Sequence, residues 1–492
     1  LPQALRPAYA RLFSFSAVLA SLLVLLVYFL CIGRPLLADP DVWWHLHNAQ
    51  LLLQHHAFIR QDTYTFTVGG KPWINPEWLS ELPYYFASRW FGYRGLEVVA
   101  IAVLEAVVLG VCLLCWQRIR NIKPALLACI VFLPMISVSF GPRTLMFGWL
   151  CLIAELALLS EFRRGKDWLW CMPFLFLLWI NTHGSWPIGI LFLAIFVASG
   201  LIPAPSKGSR WGSIQVQTWS SAQRNKLLWV LGLSILALFL NPYGWRLVAY
   251  PFRITLGHKL TIATVEEWQT LDFHSLRGKI VYLILSALLI SNMARKRTWP
   301  LCDLLFTLVA VLAAFTYTRF LVLAGIILCP LVAGEFTFFR EPDGQSDKPI
   351  INVAILAAVL ATLASQLPTN VHLQSQVATT YPANAVAYLQ SVKLDGPILN
   401  EFGWGGYLEW SVPSVPFFID PRADVFDEYG VLQEYIDATS IKRSFEVIDK
   451  YQIRYVLFPK KDPIVYLLTH TPGWKTIYHD DLAVLLEREP YR

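Results

Sequence analysis

Charge is what this chain has least of. Only 15% of its 492 residues are Asp, Glu, Lys or Arg, against roughly 25% in an ordinary soluble protein. That shortage excludes a soluble polypeptide of this length. The net charge of +6 is modest, and the basic residues fall mostly in short stretches between apolar runs, which excludes a nucleic-acid-binding face. Cysteine is absent from the polar C-terminal region. All eight cysteines (Cys31, Cys112, Cys115, Cys129, Cys151, Cys171, Cys302, Cys329) lie within or beside apolar runs, and no paired CxxC pattern marks a zinc site. Cys112 and Cys115, one helical turn apart, read as packing residues. There is no internal repeat and no low-complexity tract. Gly403-Trp404-Gly405-Gly406 lacks the spacing and the following helix of a nucleotide loop.

Apolar residues are abundant, at 56% with a mean hydropathy of +0.49. They arrive in blocks of about 17–23, long enough at 1.5 Å per residue to cross a hydrocarbon core roughly 30 Å thick. About eleven such blocks predict a polytopic α-helical membrane protein. The first, from about Phe13 to Ile32, is too long for a signal-peptide core and lacks a cleavage signal, so it reads as a retained span. Basic residues precede it (Arg6, Arg11) and cluster at 118–123, 163–166, 207–226 and 295–297. Starting from a cytoplasmic N-terminus, strict alternation puts all of these inside and the C-terminal region outside. Residues 1–368 form the membrane domain and 33–94 a large first outer loop.

In that loop Asp41–His56 has a helical pattern rich in interfacial aromatics. Thr63–Val68 alternates like a strand, Gly69-Gly70 signals a turn, and Pro76 starts a second helix of about 14 residues. From 369 to 492 the pattern becomes that of a soluble extracytoplasmic α/β domain. Its predicted strands are Pro397–Leu399, Tyr407–Trp410, Pro416–Ile419, Tyr455–Phe458 and Leu482–Leu486. Helical patterns lie between them, as at Ala383–Gln390, Val431–Ile436, Phe445–Tyr451 and Pro463–Thr469.

With this topology Asp39, Asp41, His45, Glu77, Arg143, Asn181, His183, Asn241, Glu266, Glu267 and Arg319 share the outer side, at span ends. Any one of them is ordinary there. Together they outline a chamber floored by helix ends and roofed by the first loop. Asp39 and Asp41 straddle a proline that stiffens the link. Asp41 also suits a helix N-cap, and it lies four residues before His45, so the two share a helix face and are suited to one cation or one substrate hydroxyl. Asp420, Arg422 and Asp424 follow a predicted strand and read as a structural ion-pair corner.

An acidic pair directly after the first span, an interfacial helix, many spans and a trailing outer domain resemble the GT-C glycosyltransferase superfamily. That superfamily includes protein O-mannosyltransferases, the aminoarabinose transferases of lipid A and oligosaccharyltransferase catalytic subunits. The segments 39–46, Trp73–Leu79, Trp179–Gly184, 241–244, 402–407 and 418–424 resemble a group of bacterial multi-span proteins assigned there. The resemblance implies a bacterial inner-membrane enzyme moving a sugar from a polyprenyl-phosphate-linked donor to an acceptor on the outer face, by inverting displacement. Asp41 or Asp39 would be the base for the acceptor hydroxyl. Arg143 or Arg319, or a divalent cation (Mg or Mn) on Asp41 and His45, would take the charge of the lipid phosphate. His183, Asn181, Glu77 and Glu267 would complete the substrate site. One departure stands out. Several GT-C families carry a second acid in the loop after the third span, where this chain reads Gly141-Pro142-Arg143. Two other classes stay open: a lipid-linked solute transporter, and a non-catalytic subunit of a larger membrane assembly.

Overall fold

The computed structural model describes residues 14–202, 214–257, 259–295, 298–336 and 348–489. Arg6, Arg11, Lys207, Arg210, Lys296 and Arg297 lie outside them. Among the described residues the membrane part has fourteen α-helices: α1 Phe15–Ile32, α2 Asp41–His55, α3 Trp78–Ile119, α4 Ile122–Ile136, α5 Leu145–Arg163, α6 Met172–Thr182, α7 Trp186–Ser199, α8 Ser221–Ala237, α9 Trp245–Gly257, α10 Lys259–Thr264, α11 Leu276–Arg295, α12 Leu301–Thr316, α13 Leu321–Ala333 and α14 Pro349–Ser365. Every apolar block of the sequence is helical. Four helices, α1, α3, α5 and α11, are long and apolar enough on those grounds alone to cross a bilayer. Shorter apolar helices, among them α4, α6, α7, α12 and α13, pack around them. With its apolar outer surface at residues such as Phe174, Trp229, Leu240 and Leu312, this is a multi-pass helical membrane protein.

The 42-residue α3 is two helices in one. Gly92 sits at φ 65°, ψ −150°, a backbone state open to glycine and costly for other residues. Before it runs the amphipathic helix expected from Pro76; after it runs a membrane span. The break lets 78–91 lie across the bundle end and turn Glu77 and Glu81 toward it.

The C-terminal part contains α15 Asn370–Thr380, α16 Ala383–Ser391, α17 Gly405–Ser411, α18 Ala423–Glu428, α19 Val431–Thr439, α20 Ser444–Lys450 and α21 Pro463–Thr469. They pack on a sheet of β3 Ile398–Asn400, β4 Tyr455–Pro459, β5 Trp474–His479 and β6 Ala483–Arg488, numbered after a short pair at Ile214–Gln215 and Trp299–Pro300 (β1 and β2). The sheet order is β3-β4-β6-β5, parallel only between β3 and β4.

Three expectations of regular strands fail, each for a local reason. At Thr63–Val68 the Asp62 carboxylate accepts from the backbone N–H groups of Tyr64 (3.3 Å) and Thr65 (3.1 Å), so the chain turns instead of extending. Tyr407–Trp410 is helical: Glu401 caps the turn before it by accepting from the Trp404 N–H at 2.7 Å, and Gly406 lets α17 lie against α2, where a Cβ would meet the Trp44 nitrogen at 3.2 Å. Pro416–Ile419 makes only isolated bridges, because the Asn400 side-chain oxygen takes the N–H groups of Phe418 and Ile419.

The segment between α2 and α3 and the C-terminal part are welded together. Arg422, 3% exposed, donates to Asp62 at 2.6 Å and to Asp420, between the rings of Tyr64 (4.2 Å) and Trp73 (4.5 Å). The ion-pair corner therefore exists, but its third member is Asp62; Asp424 instead accepts from the Tyr250 hydroxyl at 2.7 Å.

Candidate active site

The turns α1–α2, α4–α5, α6–α7 and α12–α13 meet at one end of the bundle. Asp39 and Asp41 enter from the first of these. Asp39 accepts from the Asp41 N–H at 3.1 Å, which fixes the two carboxylates relative to one another across Pro40. Gly141, from the second turn, leaves room: a Cβ there would stand 3.2 Å from an Asp39 oxygen. The guanidinium of Arg143 then bridges two acids from distant parts of the chain, Asp39 through Nε and Glu267 through Nη1.

Glu267 lies in the one-turn segment Glu266–Trp268. The next residue, Trp268, stacks under Arg319, whose guanidinium carbon is 4.4 Å from the ring centroid. One short segment thus holds two arginines. Arg319 makes no ion pair among the described residues. Burial first, and then the neighbouring Arg143, pull its guanidinium down to about 10, so it keeps its charge at neutral pH. The Asp41 carboxyl is pushed up to about 6, by burial first and then by the Asp39 carboxylate, against the opposing pull of Arg143 and His45.

Behind Asp41 lies a buried chain of acids and imidazoles. His45 Nδ1 is 2.9 Å from Glu81 and its Nε2 is 3.4 Å from Glu77. Glu77 also meets His183 Nε2 at 3.1 Å and accepts from the Thr144 hydroxyl at 2.7 Å. His183 Nδ1 accepts from the Ser185 N–H at 3.0 Å, so its proton resides on Nε2 and is donated to Glu77. The Glu77 carboxyl is drawn down to about 2: burial opposes this, but His183, His45 and Thr144 together outweigh it. His45 moves the other way for a charged base. Burial lowers it, and the Glu81, Glu77 and Asp41 carboxylates more than offset that. Glu81, wholly buried, also accepts from Asn48 (3.0 Å) and Asn75 (2.7 Å).

The structure therefore brings Asp39, Asp41, Arg143, Glu267 and Arg319 to one cleft, and sets Glu77, His45 and His183 as its back wall. Asn181 plays a different part from the substrate contact expected of it. Its amide donates to the carbonyls of Leu177 (2.8 Å) and Leu240 (3.1 Å) and accepts from Trp78 Nε1 (3.0 Å). It braces α6, α8 and α3, with no donor left for a ligand. Glu81, Asn48 and Asn75 were not picked out by the sequence. The available signal was the four-residue step from Glu77 to Glu81, one helical face.

The expected Asp41–His45 metal pair does not form. A histidine ligand presents one lone pair to the ion and donates its other N–H to an outer partner. Here both His45 nitrogens face glutamates, and the guanidinium of Arg143 already occupies the cation position beside Asp39. Among the described residues, three ligand atoms converge within 4.8 Å only at Cys115, Cys129 and Cys329. The donor set at the cleft does not fit a resident divalent cation.

No family model and no curated protein sequence matches the chain. Solved structures do. The oligosaccharyltransferase of Archaeoglobus fulgidus, tethered to an acceptor peptide, superposes with a TM-score of 0.56 at 12% identity over 90% of this chain and 68% of that one. ArnT from Cupriavidus metallidurans, bound to undecaprenyl phosphate, gives 0.51 at 12% identity over 96% and 97%. The archaeal enzyme in complex with an inhibitory peptide and dolichol-phosphate gives 0.50 at 14% identity. Both proteins are GT-C glycosyltransferases, and this chain has the GT-C fold.

Proposed function

We propose that this protein is a GT-C glycosyltransferase that moves a sugar from a polyprenyl-phosphate-linked donor to an acceptor at the Asp39–Asp41–Arg143–Arg319 cleft. The observation that carries the reading is the pairing of two buried-side guanidiniums with a carboxyl poised near neutrality. The similar structures hold undecaprenyl phosphate and dolichol-phosphate, which supports a lipid-phosphate leaving group here.

The acceptor hydroxyl gives its proton to the Asp41 carboxylate as its oxygen attacks the anomeric carbon. The bond from that carbon to the phosphate oxygen breaks, and the electron pair leaves with the polyprenyl phosphate. Arg319, free of a carboxylate among the described residues, and Arg143 receive the developing charge; a planar guanidinium suits phosphate oxygens. Asp39 fixes Arg143 and the Asp41 backbone. The His45–Glu77–His183 wall holds the α2 and α3 termini in place. No step runs through a metal ion.

The cleft opens on the extracytoplasmic face of a bacterial inner membrane in this reading, with residues 369–492 outside, a topology supported by the basic segments on the opposite bundle end. The test is transfer of a labelled sugar from polyprenyl phosphate in vesicles containing the purified protein. Turnover that is lost in Asp41→Asn and weakened in Arg319→Gln supports the assignment. Wild-type rates in both variants would remove the assignment of these residues, and no transfer by the wild-type protein would leave a binding subunit with this fold.

A further inference from the structure

We propose that the bundle end opposite the cleft carries a separate binding site for an anionic phospholipid, its phosphate on Arg118 and Arg163 and an acyl chain in the adjoining cavity. The two ends are set apart by α5, which begins two residues after Arg143 and ends at Arg163; its 19 residues span about 28 Å.

At that far end lies a cavity of 260 Å³. Its inner wall is apolar, formed by Leu114, Leu156, Ile327 and Leu331, and its rim carries Arg118, Arg163, Arg164 and Asp303. Asp303 is buried and accepts one N–H from Arg118 at 2.9 Å and one from Arg163 at 2.7 Å. Each guanidinium has five N–H groups, so most of the donors are unspent. Arg163 Nε is buried without a hydrogen-bond partner. Two cations on one carboxylate leave an excess positive charge. Arg164 and Lys166 share Glu161 in the same way, and the rim is positive overall.

Structural reasons account for part of this. Arg163 stands in the last turn of its helix, where a cation complements the dipole, and positive residues commonly mark one side of a membrane protein. Neither reason calls for a cavity beside them or for a buried, unpaired N–H. A phosphodiester with a fatty chain satisfies both: its oxygens take the spare guanidinium donors, and its chain replaces empty space against leucine and isoleucine. A free phosphate would leave the apolar wall unused. A choline headgroup would bring its ammonium against a positive rim. Basic pockets between spans are known to hold anionic headgroups.

The experiment uses the full-length protein, delipidated in a neutral detergent. It measures bound lipid by native mass spectrometry and the melting midpoint after adding phosphatidylglycerol, phosphatidylcholine or inorganic phosphate. Phosphatidylglycerol is expected to be retained and to raise the midpoint, with no effect from the other two. Arg118→Gln, at a partly exposed position, and Leu156→Trp, which fills the cavity, should each weaken retention by about tenfold or more, the scale of one charge-assisted hydrogen bond. Arg319→Gln at the other end should not. An equal shift with inorganic phosphate, equal retention of phosphatidylcholine, unchanged retention in both far-end variants, or loss on Arg319→Gln would each overturn the proposal. None of these readouts requires sugar transfer, so failure here and failure of the proposed enzyme activity are distinguishable.

Discussion

Removing the guanidinium of Arg143 tests the cleft most directly. In Arg143→Gln the Asp39 carboxylate, 7% exposed, loses its only cation among the described residues, and Glu267, 26% exposed, loses the same one. Breaking one side of a buried ion pair costs about 3–5 kcal/mol, since the charge left behind is unsolvated. Both carboxylates retain some access to water here, and Asp39 still accepts from the Asp41 N–H, so about 3 kcal/mol of stability is the expected loss. Catalysis should fall further than stability explains. Loss of one preorganised donor to a developing oxyanion lowers turnover about a hundred- to a thousandfold. The two effects separate in a double variant. Asp39→Asn with Arg143→Gln removes the more buried of the two orphaned charges and should restore much of the melting midpoint, while turnover stays low. The assays are thermal unfolding in detergent and single-turnover release of polyprenyl phosphate. Full activity in the double variant would refute the idea that Arg143 meets the leaving group, and would leave it a structural brace between the first loop and the segment at Glu267.

The acid limb of the rate profile should fall near pH 6, where Asp41 takes up its proton; a kcat/KM that stays flat from pH 5 to 8 would contradict the assignment of Asp41 as base. The sign for stability differs between neighbours. Asp41 has a folded value above its unfolded one, so it favours folding only while protonated and that contribution fades as pH rises through 4 to 6. Glu77, drawn down to about 2, contributes stability above about 4.5 that is lost as pH falls toward 2. Glu77→Gln should accordingly flatten the acid side of a stability-against-pH curve, and an unchanged curve would mean that the Glu77 carboxylate is not held by its His183, His45 and Thr144 contacts. Gly148→Ala should destabilise by about 1–3 kcal/mol, because a Cβ would stand 2.3 Å from the Ser185 hydroxyl that seats the His183 turn; calorimetry checks this. Arg422→Met should cost about 3–5 kcal/mol by stranding Asp62 and Asp420, and a cooperative unfolding transition at the wild-type temperature would contradict it.

What the sequence made legible follows from where physics leaves little choice. A bilayer demands contiguous apolar runs, so the helices of the membrane part stood out one by one. Span ends carry water-facing groups, so Asp39, Asp41, Glu77, Arg143, His183, Glu267 and Arg319 could be assigned a common side before any coordinates. Pairing within that set was invisible. Nothing in a one-dimensional pattern says that Arg143 reaches Glu267 across 123 intervening positions, or that His45 turns to Glu81 rather than to Asp41. Glu81 itself is one of several polar residues that its helix buries, with Ser80 and Glu97, and a carboxylate reads as solvated until burial is known. The strand at Trp474–His479 was missed because half of its residues are exposed, as an edge strand allows, leaving no alternation to find. Tyr407–Trp410 misled in the opposite direction: its aromatics favour strands, but close packing against Trp44 and the cap from Glu401 decide for a helix.

If a lipid phosphate enters the cleft as proposed, the charge arrangement also sets an order of events. Arg143 is engaged on two sides, by Asp39 and by Glu267, so an incoming anion must displace one of them to gain its full fork. Among the described residues Arg319 stacks on Trp268 and makes no ion pair, which leaves its hydrogen-bond donors available. The first contact therefore falls on Arg319, over Trp268. Because Trp268 and Glu267 are adjacent, any shift of that ring toward the ligand moves Glu267 with it and loosens its hold on Arg143. Asp39, anchored to the Asp41 backbone, stays. The second arginine is thus released toward the phosphate on the side facing Asp41, where the acceptor must arrive. Glu267→Gln tests this sequence. Weakening the competitor should tighten donor binding, lowering KM, while leaving the pH 6 limb set by Asp41 in place. A raised KM would mean that Glu267 helps to hold the donor itself, and that the two arginines act in the reverse order.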